Sequence, residues 1–263
     1  MNSEKRFLVD VGMQSLPFPI RAISRLAPEG QPTVASISVI ARIKRDFEAR
    51  WIDTFTQVLH RHRDLIGPRW LKEHIQDYMG VLKATTVKIA YDYPFFIEKQ
   101  TPISQEKCLV QYRCICSAKN PVVEDDPWGA LRMEIPCITT YPLSDPQKPG
   151  GLFGQLSVID MEIVSKGDVF PEDLVSLVDR HALAPVYSFL TEEDQTGLIE
   201  KIHSTKKTSV VVIDAIKSEL ARDSEITWYS VRSSNFGMLH SYSTIIQTEK
   251  SAWVPFSGYD DKI

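Results

Sequence analysis

The sequence predicts an α+β protein with mainly antiparallel sheets and helices packed on one side. Three observations carry this. Strands and helices come in mixed runs, and the order found in the first half recurs in the second. Apolar residues alternate in the strand-like runs and recur at helical spacing in the others. And 263 residues, 43% of them hydrophobic, can bury one large core or two fused halves.

Residues 34–47, VASISVIARIKRDF, alternate and are rich in β-branched side chains, so they read as a strand. From Trp51 to Leu65 the residues Trp51, Phe55, Val58, Leu59 and Leu65 follow a helical spacing, which Gly67-Pro68 stops. A second helix is expected from about Arg69 to Gly80. Two long strands follow, near Ala84–Lys99 and Lys107–Ala118, around a turn at Thr101–Ser104. The first half therefore reads strand, helix, helix, strand, strand. Asn120 to Gly129 is polar and proline-containing, a loop or linker. Beyond it, Leu131–Tyr141 and Gln155–Val164 read as strands. Pro171-Glu172-Asp173 opens a helix to about Leu190, because proline fits the first turn and acids suit its dipole. Thr191-Glu192-Glu193-Asp194 reads as a cap for another helix. Thr208–Arg222 reads as helix, and Ile226–Ser234 and Leu239–Glu249 as strands. The expected organisation is a module over 1–119, a linker over 120–130, a second module over 131–249 and a tail over 250–263. That tail shows no clear period and reads either as a loose arm or, through Trp253, Phe256 and Tyr259, as a segment docked on a neighbour.

The 30 basic and 34 acidic residues give a net charge of −4, well mixed, which favours neither nucleic acid nor an anionic membrane. Arg42, Lys44 and Arg45, and Lys206 and Lys207, read as solvated faces. No apolar run reaches the length of a membrane span, and the first residues lack a signal-peptide core, so a cytoplasmic protein is expected. Four cysteines read as buried free thiols; Cys114 and Cys116, on one strand, are expected to point apart. His60-Arg61-His62, late in a helix, reads as surface.

Pro136-Cys137-Ile138-Thr139-Thr140-Tyr141-Pro142-Leu143-Ser144, then Gly150-Gly151-Leu152-Phe153-Gly154-Gln155, carries the most specific signal. The segment resembles the active-site stretch of the type IB GTP cyclohydrolases, which has Cys-Pro-Cys-Ser followed by Ala-His-Asn-Gln. Further support comes from Tyr93–Lys99 with Pro102-Ile103-Ser104, from Glu172-Asp173-Leu174 and Glu193-Asp194, and from Ser233-Ser234-Asn235-Phe236 leading to His240. The resemblance covers about Val11 to Glu249. It implies a tunnelling fold of two fused modules, assembled as a homo-oligomer, with a purine- or pterin-like small molecule bound between subunits.

The same resemblance implies a changed site. The family's metal-binding cysteine falls at Tyr141, its catalytic histidine at Phe153 and its metal-binding glutamate at Gln195. A metal-binding histidine is kept as His240, while the next one becomes Tyr242. The glutamate that anchors guanine falls near Val210. One imidazole, one carboxamide and one phenol make a poor zinc site, so no metal and no cofactor are expected. Tyr141 and His240 are then the candidate acid–base pair, since imidazole suits proton transfer near neutral pH. Phe153, Gln155, Gln195 and Tyr242 are the candidate substrate-binding residues. The expected function is a divergent enzyme acting on another planar heterocycle, in specialised biosynthesis. The alternatives are a silent ligand- or partner-binding paralogue and a retained conversion of GTP to 7,8-dihydroneopterin triphosphate, with Cys137 as one substitute ligand.

Overall fold

The computed structural model describes residues 8–44, 51–120 and 127–250. The expected tail lies outside the described residues except for Lys250. The strands are β1 Leu8–Ala22, β2 Gln31–Lys44, β3 Thr86–Gln100, β4 Lys107–Lys119, β5 Trp128–Thr140, β6 Gly154–Ser165, β7 Ala184–Pro185, β8 Ile226–Phe236 and β9 Thr244–Glu249. The helices are α1 Trp51–Arg61, α2 Pro68–Leu82, α3 Pro171–His181, α4 Glu192–Ser204 and α5 Ser209–Arg222. The strands form one antiparallel sheet in the order β1-β2-β3-β4-β5-β6-β8-β9, with β7 beside β5. The helices pack on one face, as expected. The sheet runs unbroken from one half to the other, because β4 pairs with β5 from Lys119↔Trp128 to Arg113↔Glu134.

Strict alternation explains the buried face. β3 turns Val87, Ile89, Tyr91, Tyr93 and Phe95 inward, and β4 turns in Val110, Tyr112, Cys114, Cys116 and Ala118. Cys114 and Cys116 therefore share the core face, which corrects the expectation that they point apart: residues two apart on a strand lie on the same side of the pleat. All four thiols are free and buried. Helix stripes cover this face, with Leu71, Ile75, Tyr78 and Leu82 on α2 and Val212, Ile213, Ile216 and Leu220 on α5. The opposite face carries a row of polar groups across the strands. Arg113 reaches Asp92 at 2.6 Å and Glu134 at 3.1 Å, and Arg132 reaches Asp160 at 2.6 Å.

Several elements differ from expectation. β1 precedes the first expected strand. The helix that starts at Pro171 stops at His181 rather than near Leu190. Ala182 is extended, Leu183 N–H donates to the Ile138 carbonyl, and Ala184-Pro185 pairs with β5. A proline at 185 disfavours the α conformation for Ala184 before it. His62 is not a surface residue. Its ring meets Trp70, His74 and Tyr78 edge-on at 5.0, 5.5 and 5.4 Å, and its Nδ1 is buried without a partner. Lys207 is woven into a loop rather than left in solvent, as its backbone N–H donates to Thr140 Oγ1 and its Nζ to the Ala182 carbonyl.

Asp194 fulfils the expected cap and does more. It forms the capping box with Thr191 at the start of α4. Its Oδ1 also accepts from the backbone N–H groups of Ile103 and Ser104, and its Oδ2 from Ser104 Oγ at 2.6 Å. Burial alone would raise its pKa. The hydrogen bonds from Ser104, Thr191 and Ile103 outweigh that and hold the carboxyl well below the usual range.

Candidate active site

The connections 23–30, 101–106, 141–153 and 237–243 all emerge at one end of the sheet, as the pairs Ala22↔Gln31, Gln100↔Lys107, Thr140↔Gly154 and Asn235↔Thr244 show. The candidate residues sit on the last two. At the neck of the β5–β6 connection, Tyr141 N–H donates to the Phe153 carbonyl at 3.0 Å. Their rings stack at 4.9 Å, 18° apart. Ser144 Oγ donates to the Tyr141 carbonyl, so it turns the chain here and has no nucleophilic role. Gly150 and Gly151 have φ of 94° and 60°, left-handed values that side chains resist, and they complete the turn back to β6.

The β8–β9 connection closes over this neck. A Cβ on Gly237 would come within 2.9 Å of the Tyr141 ring, so only glycine lets the backbone approach this closely. Tyr141 Oη meets His240 Nε2 at 3.3 Å, and the His240 ring stacks on Tyr242 at 4.8 Å. His240 lies in this connection and not on a strand as expected, because β9 starts only at Thr244. Tyr141 is buried, whereas His240 and Tyr242 are exposed. Gln155 is buried beneath and donates to Thr139 Oγ1 at 3.2 Å. Four of the candidate residues thus form one cluster of two ring pairs joined by a hydroxyl–imidazole contact, and Gln155 bonds to Thr139, two residues before Tyr141. Beside it, Thr140 N–H donates to the Lys207 carbonyl at 2.8 Å, which ties the segment before α5 to the end of β5.

Gln195 stands apart. It is exposed in the first turn of α4 and donates to the Leu190 carbonyl at 3.3 Å. Among the described residues, no hydrogen bond or ring contact joins it to the Tyr141 cluster. Near it lies an open groove of about 530 Å³, lined by Ile103, Glu192, Glu193, Thr196, Gly197 and Glu200. Its three carboxylates disfavour an anionic ligand.

The donor set does not fit the family's metal. At the Tyr141 position there is one imidazole and one phenol, and among the described residues no three His, Cys, Asp or Glu side chains gather. Zinc sites take at least three good donors from the protein. Cys137 is no substitute ligand. It is fully buried, and burial, then the Asp179 charge, pushes its thiol up to about 12 despite Lys99. Val210, in the first turn of α5, is exposed and offers no side-chain acceptor to a guanine edge.

The residues that sequence reasoning missed are small and polar. Thr139, Ser157, Ser233 and Asn235 are buried and hydrogen-bonded beneath the cluster. Only the position of Ser233 and Asn235 next to the His240 segment singled them out.

Comparison with known proteins places this geometry. A GTP cyclohydrolase FolE2 of Syntrophotalea carbinolica is 28% identical over 239 residues, 91% of this chain and 88% of that one. A GTP cyclohydrolase FolE2 of Dictyoglomus turgidum is 29% identical over 248 residues, 94% of each chain. A urate oxidase of Bacillus sp. TB-90 superposes with a TM-score of 0.50 at 8% identity, over 92% of this chain and 96% of that one, and supports the tunnelling fold alone. The expectation of a divergent enzyme on a different heterocycle is overturned by these relatives, whose shared name spans nearly the whole chain. The model of the type I GTP cyclohydrolase FolE2 family matches residues 2–245, and the chain belongs to that family.

Proposed function

We propose that this chain carries out the GTP cyclohydrolase reaction as a cytoplasmic homo-oligomer. Hydrolysis opens the imidazole ring of GTP and releases its carbon as formate, and ring closure with loss of water gives 7,8-dihydroneopterin triphosphate. The observation that carries this reading is the family match over residues 2–245. Within the site, His240 and Tyr141 hold and move the protons, as their 3.3 Å contact supports. The stacked rings of Tyr141 and Phe153 form a wall for a planar base, and Gln155 fixes it from below. The amino end of α5 with Lys206 faces the triphosphate, since a helix amino end favours negative charge. A second copy covers the exposed rings of His240 and Tyr242 and brings a Gln195 to the cleft. Tyr141 and His240 supply the proton chemistry, and the donors around them among the described residues do not make a zinc site. No helix among the described residues is long and apolar enough to cross a membrane.

The test is incubation with GTP, oxidation of the product and detection of the fluorescent pterin. It is run with a chelator and with added Mn²⁺ or Zn²⁺. Product above a no-enzyme control, lost in His240→Ala, supports the reading. No product under any of these conditions overturns it.

A further inference from the structure

The contact between Tyr141 and His240 joins two separate connections, so something must hold both in one frame. A buried hydrogen-bond ladder does this. Gln155 Nε2 donates to Thr139 Oγ1, which donates to Ser157 Oγ at 2.8 Å because the Ser157 hydrogen is spent on Asn235. Ser157 Oγ donates to Asn235 Oδ1 at 2.8 Å, and Ser233 Oγ donates to the same oxygen at 2.9 Å. Asn235 Nδ2 donates to the Thr244 carbonyl at 3.3 Å. Thr139, Gln155, Ser157, Ser233 and Asn235 are all buried.

The placement of the two ends matters. Thr139 lies two residues before Tyr141. Thr244 is the first residue of β9, and Asn235↔Thr244 is the last pair of the β8–β9 ladder before the connection that carries His240. Asn235 spans three strands with one side chain: its oxygen holds β6 and β8, and its amide holds β9. Apolar side chains would fill this space at lower desolvation cost, so a fully bonded polar seam selects geometry more than stability.

We propose that Asn235 is a positioning residue that sets the β8–β9 connection so that His240 Nε2 meets the Tyr141 hydroxyl. It touches neither ring. The proposal rests on the GTP cyclohydrolase reading for its kinetic consequence, but its structural consequence is independent of turnover.

The experiment compares Asn235→Leu, a near-isostere, with the triple variant Ser157→Ala, Ser233→Ala, Asn235→Leu. The triple variant also removes the two hydroxyls that lose their Asn235 acceptor, while Thr139 Oγ1 keeps the bond from Gln155, so its melting temperature should return part of the way toward wild type. Imidazole NMR of histidine-labelled protein, with His240 assigned by His240→Gln, reads the contact directly. The expected result is a His240 ring signal displaced in both variants, with the cross-relaxation between the His240 and Tyr141 rings weakened. With GTP, kcat should fall by about tenfold with KM within about twofold, because a misplaced proton-transfer group weakens the transition state and not substrate binding. Both effects should persist in the triple variant despite its partly recovered stability. His240 ring signals and a Tyr141 cross-relaxation that superimpose on wild type in either variant overturn the proposal, whether or not any protein turns over GTP. Full recovery of kcat in the triple variant overturns it as well. If Asn235→Leu does not fold, the triple variant decides alone. If wild type shows no turnover, the GTP reading fails and the NMR comparison still decides the role of Asn235.

Discussion

Two connections at the same end of the sheet are held by opposite means. The β3–β4 turn, residues 101–106, is short and is pinned by the buried carboxylate of Asp194, which reaches across from α4. The β8–β9 connection, residues 237–243, is longer and is held at its tip by ring contacts and one 3.3 Å hydroxyl–imidazole bond. Charge-assisted bonds to backbone amides fix a turn in one geometry. Stacked rings at an exposed lip fix orientation while leaving room for a ligand to enter. The difference separates a turn fixed by a buried carboxylate from a lip held by ring contacts at the surface.

The comparison breaks most visibly at the carboxylate. Asp194→Ala leaves the amides of Ile103 and Ser104 without a buried acceptor, and Thr191 without its box partner. This variant is expected to show the largest fall in melting temperature of those named here. The carboxyl of Asp194 has a depressed pKa in the fold, so its contribution is present above the ordinary carboxylate value and is lost as pH falls through the lower folded value. The Asp194→Ala melting temperature should therefore converge on wild type in strong acid. A difference that is constant down to that range would refute the role given to this group.

At the lip the expected damage is kinetic. Tyr141→Phe and His240→Ala should each lower turnover of GTP by about a hundredfold or more, the usual scale for a lost proton-transfer group. Melting temperatures should stay close to wild type, since His240 is exposed and Tyr141 keeps its stack on Phe153 in the phenylalanine variant. Equal loss of stability and rate would erase the distinction between the two connections. Gly237→Ala sharpens the comparison at a smaller scale. The added methyl pushes the Tyr141 ring by contact, and a rate loss of about tenfold is expected from misplacement alone. Unchanged kinetics would mean that the ring yields freely.

The smallest expected effect lies away from the site. Burial lowers the His62 pKa, with Asp77 opposing and His74 and Arg61 adding to the shift. A folded pKa below the unfolded value of about 6.5 favours the neutral ring, so this contribution is intact above that pH and is lost as pH falls. His62→Phe should flatten the fall in melting temperature between neutral and mildly acidic pH. An identical slope in wild type and variant would assign the acid sensitivity elsewhere.

Much of this was legible in the sequence where local chemistry decides the outcome. Pro171 opens a helix, Thr191 with Asp194 forms a box, and the alternation of β3 and β4 appears in the burial of Val87 to Ala118, while Pro68, read only as a stop, in fact starts α2. β1 escaped because its pattern is interrupted by Gly12, Pro17 and Pro19, and by a bulge between Met13 and Leu16. Its pairing with β2 makes it a strand. His62 escaped because its neighbours Trp70, His74 and Tyr78 come from another helix. In the site, the motif brought Tyr141, Phe153, Gln155, His240 and Tyr242 into view. It gave no sign that Asp194 would also bind the β3–β4 turn. Nor does a threonine, serine or asparagine announce from sequence that it will be buried in a seam.

The charged row on the helix-free face also directs how copies of this chain can meet. Arg113 with Asp92 and Glu134, and Arg132 with Asp160, would have to shed water if two such faces were pressed together, and pairs already satisfied within one chain gain nothing from that. Face-to-face layering is thereby discouraged. Among the described residues β1 and β9 are the outer strands of the sheet. If copies of this chain associate, pairing strand to strand at those edges would extend the sheet and leave the charged row in water.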